Sequence, residues 1–113
     1  MVAEPSKSAR DPGSYVHLTP AVIALITHPE RDVRWRCAVA LRSLPLDSAP
    51  HLDALHALML DFDPGTRMQA VKALHDRRAR RKLDEASRPV LQKVIEKDGN
   101  SAAAHYAREL LEQ

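Results

Sequence analysis

The apolar residues of this chain recur at the spacing of an α-helix. On a wheel of about 100° per residue, the segment DVRWRCAVALRSL places five apolar residues within one arc of about 100°. These residues are Val33, Cys37, Ala40, Leu41 and Leu44. Valines elsewhere also follow helical spacing rather than the alternation of a strand. The pattern therefore predicts an all-helical protein.

Prolines and small polar residues interrupt the apolar pattern at regular intervals. Ser48 with Pro50, and Asp63 with Pro64, combine a capping side chain with a proline in the first helical turn, which is typical of a helix start. Further starts are predicted at Thr19 with Pro20, at Ser87 with Pro89, and at Asn100 or Ser101. These signals divide the chain into six helices, arranged as three hairpins.

The three hairpins are similar in sequence. A shift of 33 residues aligns Arg34 with Arg67 and Leu41 with Leu74, and a further shift of 36 aligns Leu74 with Leu110. Helical hairpins that repeat at this period predict an α-solenoid, in which each hairpin is buried against its neighbours. A plain bundle of three hairpins is the alternative, because it uses the same amphipathic antiparallel helices.

The beginning of the chain differs in composition from the rest. Residues 1–16 are rich in proline, serine, glycine and charge, so we expect a flexible leader there. The repeat domain is predicted over 17–113, with units of about 18–45, 48–82 and 87–113. No apolar run fits a signal peptide or approaches the ~20 residues of a membrane span. We therefore expect a cytoplasmic protein without a membrane span.

Two segments resemble a known family. HPERDVRWRCAVALRSL and DFDPGTRMQAVKAL each contain an acidic loop, an arginine early in the helix, small residues and then Ala-Leu. This pattern resembles the second half of a HEAT repeat of the short, phycobilisome-lyase-like type. The third unit departs from it, because Ala103 stands where the other units have Arg34 and Arg67. The resemblance extends over about residues 18–112 and implies a helical solenoid.

The two arginines begin the second helix of their units. A guanidinium at this place can bond to carboxylates or carbonyls of the loops between repeats. We therefore expect a structural ladder formed by Arg34 and Arg67 with Asp32, Asp61 and Asp63. The third unit lacks the arginine, as expected of a unit that caps the repeat.

No set of catalytic residues stands out in the sequence. His51 and His56 are five apart, which does not place both on one metal as an i, i+4 pair would. Most histidines are expected to be surface imidazoles. Cys37 lies in the apolar arc, so we expect a small buried side chain rather than a nucleophile. The chain is predicted to be no enzyme and to hold no metal or cofactor.

The only tryptophan points away from the apolar arc of its own helix. In the resembled repeat type, the position of Trp35 faces solvent on the concave side. Val39, Met68 and Lys72 occupy aligned or adjacent positions, and large side chains of this kind dominate the energy of interfaces. The four residues are therefore predicted to bind another protein. The alternative is that the leader over 1–16 folds back over Trp35.

A cluster of bases lies between the second and third units, although the net charge of the chain is only +2. The segment RRARRK contains Arg77, Arg78, Arg80, Arg81 and Lys82. A helix dipole accounts for one or two of them. Five together suit a phosphate backbone or an acidic protein surface, although a solvated loop is the simplest interpretation.

These observations predict a non-catalytic scaffold that binds another protein through its concave face. A protein that binds nucleic-acid backbones through the basic cluster is the alternative. Relatives of the resembled type include bilin lyases and their chaperones, so an accessory subunit of a lyase-type enzyme is a third possibility. Four aromatic residues and three hairpins offer little wall for a tetrapyrrole, which disfavours that third possibility.

Overall fold

The structure, a computed structural model, describes residues 15–45 and 48–113. All regular elements in these two ranges are α-helices, which confirms the predicted fold class. They are α1 (Tyr15–Ile23), α2 (Arg31–Ser43), α3 (Ala49–Met59), α4 (Pro64–His75), α5 (Ser87–Asp98) and α6 (Ala102–Leu111). The predicted leader lies outside the described residues, except for its last two positions, which begin α1.

The helices form two rows. Each odd-numbered helix contacts the even-numbered helix that follows it, so three helical pairs are formed. In one row α3 contacts both α1 and α5, and in the other α4 contacts both α2 and α6. Each pair is thus stacked on the next, as in an α-solenoid.

Three of the predicted caps are present. The Ser48 hydroxyl accepts from the amide of His51 at 3.3 Å, and the Asp63 carboxylate accepts from the amide of Thr66 at 2.9 Å. Ser101 caps α6 in the same way. Each side chain satisfies a backbone amide that has no partner within its helix.

The predicted helix start at Thr19 is wrong, whereas α5 begins at Ser87 as predicted. α1 begins at Tyr15, before the predicted Thr19 cap, and Pro20 lies inside the helix. A proline inside a helix removes one backbone hydrogen bond, and α1 continues past that loss to Ile23. Ser87 is the first residue of α5 and not its cap, because its buried hydroxyl lies 2.7 Å from Nε2 of His56 in α3.

The core lies between the two rows and is built from all three pairs. Its largest fully buried apolar side chains are Leu41, Leu55, Leu58, Met59, Val71, Leu91, Val94 and Leu110. The buried side of α2 differs from the predicted arc, because Ala38 is fully buried whereas Val33 and Ala40 are half-buried. The close packing of α2 against α4 accounts for this rotation of the buried surface.

The prediction of surface histidines is wrong for two of them. His51 is completely buried, and its Nε2 lies 3.0 Å from the carbonyl oxygen of Leu41. His75 is also buried, and its Nε2 lies 2.9 Å from a carboxylate oxygen of Glu109. Hydrogen bonds to neighbouring helices make the burial of these polar rings possible.

Candidate binding surfaces

Arg34 joins the loop of the first unit to the loop of the second. Its Nε and Nη2 donate to the two carboxylate oxygens of Asp61 at 2.7 and 3.3 Å. Its Nη1 donates to the carbonyl oxygens of His28 at 2.9 Å and Pro29 at 3.0 Å. One planar guanidinium thus fixes two loops to each other.

Arg67 repeats this arrangement one unit later. Its Nε and Nη2 donate to the carboxylate of Asp98 at 2.8 and 2.6 Å. Its Nη1 donates to the carbonyl oxygens of Asp61 at 2.8 Å and Phe62 at 3.0 Å. The hydrogen bonds that Arg67 donates to Asp98 raise the pKa of Arg67, so this buried guanidinium stays charged.

Two acids assigned to the ladder have other partners. Asp32 is exposed and pairs with its neighbour Arg31 at 2.6 Å, because it lies on the solvent side of the first turn of α2. Asp63 caps α4 and bonds to Thr66. The ladder acids are Asp61, which was expected, and Asp98, which was not. Asp98 could have been found from the sequence, because an acidic residue precedes α6 as Asp61 precedes α4.

Trp35 lies across the first turn of α4 and is 37% exposed. A Cβ atom added to Gly65 would lie 3.6 Å from both Cδ1 and Nε1 of the indole. The ring therefore lies over a position that has no side chain. It belongs neither to the core nor to a freely exposed surface.

The other residues of the predicted patch are less exposed than Trp35. Val39 is half-buried, and Met68 is half-buried and packs against the core. Lys72 lies 3.8 Å from Asp76, and its Nζ lies 5.5 Å from the centroid of the Tyr106 ring. Because Gly65, Met68 and Lys72 are one turn apart along α4, the indole and the tyrosine lie on the same side of the molecule.

Tyr106, a residue to which no role was predicted from the sequence, extends this surface onto α6. Its ring centroid lies 4.4 Å from that of His75. Tyr106 aligns with Ala70, a fully buried position, which explains why a surface position was not expected. We define the second-helix face by Trp35, Met68, Lys72 and Tyr106, which come from three successive even-numbered helices.

Arg77 begins the basic cluster but has a structural position. Its Nη1 donates to the carbonyl oxygen of Ala73 at 2.6 Å, and its Nη2 donates to the carbonyl oxygens of Arg42, at 3.0 Å, and Leu44. The carbonyls of Arg42 and Leu44 lie at the end of α2, where carbonyl groups have no hydrogen-bond partner within the helix. Burial lowers the pKa of Arg77 and is the largest cause of that shift.

The other bases of the cluster differ from one another. Arg78 donates to the carbonyl oxygen of His75 at 2.9 Å, and Arg81 pairs with Asp84 at 3.3 Å. Arg80 and Lys82 are exposed, and neither makes a side-chain hydrogen bond or ion pair to any residue that the structure describes. The cluster is therefore not a uniform row of free charges.

Within the described ranges, no group of three potential ligands among His, Cys, Asp and Glu could hold a metal ion. Cys37 is buried, and burial raises the pKa of its thiol, which disfavours the reactive thiolate. None of the helices in these ranges has the length and apolar character needed to cross a membrane.

Stacked helical pairs joined by an arginine ladder define an α-solenoid. The sequence profile of HEAT repeats matches residues 18–112. The chain therefore belongs to the HEAT repeat family. No curated protein and no solved structure gave a significant match to it.

Proposed function

We propose that this chain is a non-catalytic scaffold that binds another protein through its second-helix face. HEAT repeats commonly act as scaffolds for protein interactions. The observation that carries the proposal for this chain is the half-exposed Trp35, held against Gly65 at the rim of α4. Tryptophan is enriched among the residues that dominate the binding energy of interfaces.

The surroundings of Trp35 support this role. Contact with Gly65 restricts the indole before any partner arrives, which lowers the entropy that binding has to offset. Lys72 lies further along α4 and provides a charged group within the same face. An apolar centre with a polar rim is the common composition of a protein interface.

Removal of the indole tests this proposal. Trp35→Ala should weaken partner binding by roughly thirtyfold, equivalent to about 2 kcal/mol, because it removes the main anchor. Immobilised protein would be incubated with nuclease-treated native lysate, and the retained proteins quantified by mass spectrometry. Phe62→Ala is the matched control, because Phe62 is an aromatic residue of the α3–α4 loop that is 90% exposed and lines a pocket to which no residue of the second-helix face belongs.

The wild type and Phe62→Ala should retain the same proteins, and Trp35→Ala should lose at least one of them. If all three retain the same set, the second-helix face is not the binding surface. A chain that lacks residues 1–14 tests the alternative that the leader covers Trp35. A red shift of the tryptophan emission on this deletion would favour the leader, whereas unchanged emission leaves the indole available to a partner.

Binding to a nucleic-acid backbone is the second candidate, and the basic cluster is the observation that favours it. The contacts of Arg77, Arg78 and Arg81 reduce the number of bases available for a continuous track of phosphates. Repeating the incubation with lysate that has not been treated with nuclease distinguishes the candidates, because partners held through nucleic acid would be retained only from the untreated lysate. We also propose that the repeats are of the short, phycobilisome-lyase-like type, as their sequence pattern indicates. The proposed location of the chain is the cytoplasm.

A further inference from the structure

The C-terminal ends of α2 and α4 border a groove of about 320 Å³. It is lined by Pro45, Arg77, Arg80 and Arg81. Trp35 and Gly65 lie near the opposite, N-terminal ends of the same two helices. The nine residues from Trp35 to the C-terminal end of α2 correspond to about 13 Å. The groove is therefore separate from the second-helix face.

Three guanidinium groups line this groove, and no carboxylate does so. Two acids line the adjoining pockets, and each is paired with an arginine, one of them with an arginine of the groove itself. Asp76 bonds to Arg42 at 2.8 Å, and Asp84 pairs with Arg81 at 3.3 Å. Burial is the largest cause of the lowered pKa of Arg77; the charge of Asp76 acts to raise this pKa, and the positive charges of Arg80 and Arg81 act to lower it. The three charges are thus close enough to repel one another.

The three arginines differ in what they can offer a ligand. Arg77 is held in place by backbone carbonyls and has most of its donors in use, so it contributes charge. The amides of Arg80 and Arg81 donate to the carbonyl oxygen of Arg77 at 3.0 and 2.9 Å, which keeps all three within one turn. Arg80 has all its side-chain donors available among the described residues, and Arg81 uses one in a long contact.

We propose that this groove binds a single phosphate group through the side-chain donors of Arg80 and Arg81, above the fixed charge of Arg77. A phosphate ester carries about 1.5 to 2 negative charges at pH 7, which would offset the repulsion among the guanidinium groups. Guanidinium forks match the oxygens of phosphate in geometry. The phosphate is either free in solution or carried by a phosphorylated side chain of a peptide.

The convergence of the arginines favours one phosphate over a nucleic-acid strand. A strand presents phosphates in a row, and contact with several of them needs bases spread along a surface. Here Arg78 bonds back to the carbonyl of His75, so the bases that remain available near the groove meet at one place. The inference does not depend on the proposed protein-binding role.

NMR titrations that follow the arginine Nε–Hε signals would test the inference. Sodium phosphate would be compared with sodium chloride at equal ionic strength, and a phosphoserine peptide with its unphosphorylated form. Phosphate should shift the signals of Arg80 and Arg81, and the combined Arg80→Gln and Arg81→Gln variant should weaken binding at least about tenfold. Arg36→Gln is the matched control, because Arg36 is an exposed arginine of α2 without a side-chain partner among the described residues.

The peptide arm identifies the source of the phosphate. Tighter binding of the phosphopeptide than of inorganic phosphate would indicate a protein-borne group, and the reverse order would indicate free phosphate. Binding of neither probe, or equal weakening in Arg36→Gln, would overturn the inference. It would also be overturned if single-stranded RNA bound with the salt dependence of several phosphate contacts. Each such contact contributes about −0.7 to the slope of the logarithm of the binding constant against the logarithm of the salt concentration.

Discussion

Asp63 performs two tasks at the start of α4. Its carboxylate accepts from the amide and the hydroxyl of Thr66, both at 2.9 Å, and lies 3.6 Å from Arg31 of the preceding unit. A Cβ atom at Gly65 would approach the Asp63 carboxylate to 3.2 Å, closer than ordinary contact. The glycine thus leaves room for the carboxylate that caps the helix.

The titration of Asp63 should be visible in the stability of the protein. Burial acts to raise the pKa of Asp63, but the bonds from Thr66 and the charge of Arg31 outweigh it, so the pKa is lowered. A carboxylate with a lowered folded-state pKa stabilises the fold above its unfolded pKa of about 3.9. This contribution is lost as the pH falls through the lower, folded-state value.

Replacement of Asp63 separates its charge from its capping role. Asp63→Ala should lower the free energy of unfolding near pH 7 by about 1 kcal/mol, because the cap is lost. Asp63→Asn retains a capping oxygen, so it should be more stable than the alanine variant at this pH. Both variants should show a smaller loss of stability below about pH 4 than the wild type, since neither has a carboxylate to protonate.

Urea unfolding of the three proteins over a series of pH values provides the measurement. Equal acid sensitivity in all three would mean that Asp63 does not contribute to the pH dependence. An alanine variant as stable as the wild type near pH 7 would argue against the capping bond itself.

At the scale of helices and loops, the arginine ladder joins successive units. Each ladder arginine uses Nε and Nη2 for a carboxylate at or just after the end of the first helix of the next unit, and Nη1 for two carbonyls of its own loop. Arg67 and Asp98 have side chains that are only 7% and 8% exposed, so little water can replace their contacts. The contacts between Arg67 and Asp98 thus join two units in a place that is largely closed to solvent.

Removal of either ladder arginine should destabilise the protein. Arg34→Ala and Arg67→Ala should each lower the free energy of unfolding by about 1–3 kcal/mol, because a buried carboxylate and loop carbonyls lose their donor. The effect should be larger for Arg67, whose side chain is more buried than that of Arg34. Arg67→Lys should not restore the loss, because an ammonium cannot reproduce the planar fork.

Urea titration of these variants beside Arg36→Ala checks the prediction. Arg36→Ala should leave the free energy of unfolding nearly unchanged, because it removes an exposed arginine from α2, the helix that contains Arg34. If the two ladder variants prove as neutral as this control, the ladder contributes nothing to stability.

Predictions from sequence succeed at the level of elements where the signal is local. The caps at Ser48, Asp63 and Ser101 depend on residues within one turn, and they are present. The hydroxyl of Ser87 contacts His56, which lies 31 residues away on another helix, so the residues adjacent to Ser87 in the sequence could not indicate this role. The choice of Asp98 as the partner of Arg67 likewise depends on how the loops meet.

At the scale of the whole molecule, the repeat period was the decisive signal. Internal shifts of the sequence predicted a solenoid, and the two rows of helices follow from that period. The outward position of Trp35 could be predicted from its own helix. Its contact with Gly65 could not, because that contact depends on how α2 lies against α4. The spread of side-chain roles within the basic cluster depends on tertiary contacts in the same way.

The stacking of units also predicts how stability is distributed along the chain. α4 contacts helices on both sides, and Ala70, Val71 and Ala73 within it are completely buried. α1 is only nine residues long, contains Pro20 and leaves Leu25 exposed just after its end. In a solenoid, stability is a sum of contributions from units and from their contacts with neighbours. The terminal helix α1 should therefore open locally before the centre does.

Native-state hydrogen exchange should reveal this order. The amides of α1 should exchange fastest among the helices, and those of α4 should exchange only on global unfolding. Ala21→Gly, at an exposed position of α1, should speed exchange within α1 alone, because glycine lowers local helix stability by about 1 kcal/mol. Val71→Ala should instead speed exchange in all helices that require global opening, since it removes buried methyl groups from the centre. Equal protection of α1 and α4 in the wild type would show that the chain unfolds as one unit, as expected of a compact bundle and not of a solenoid.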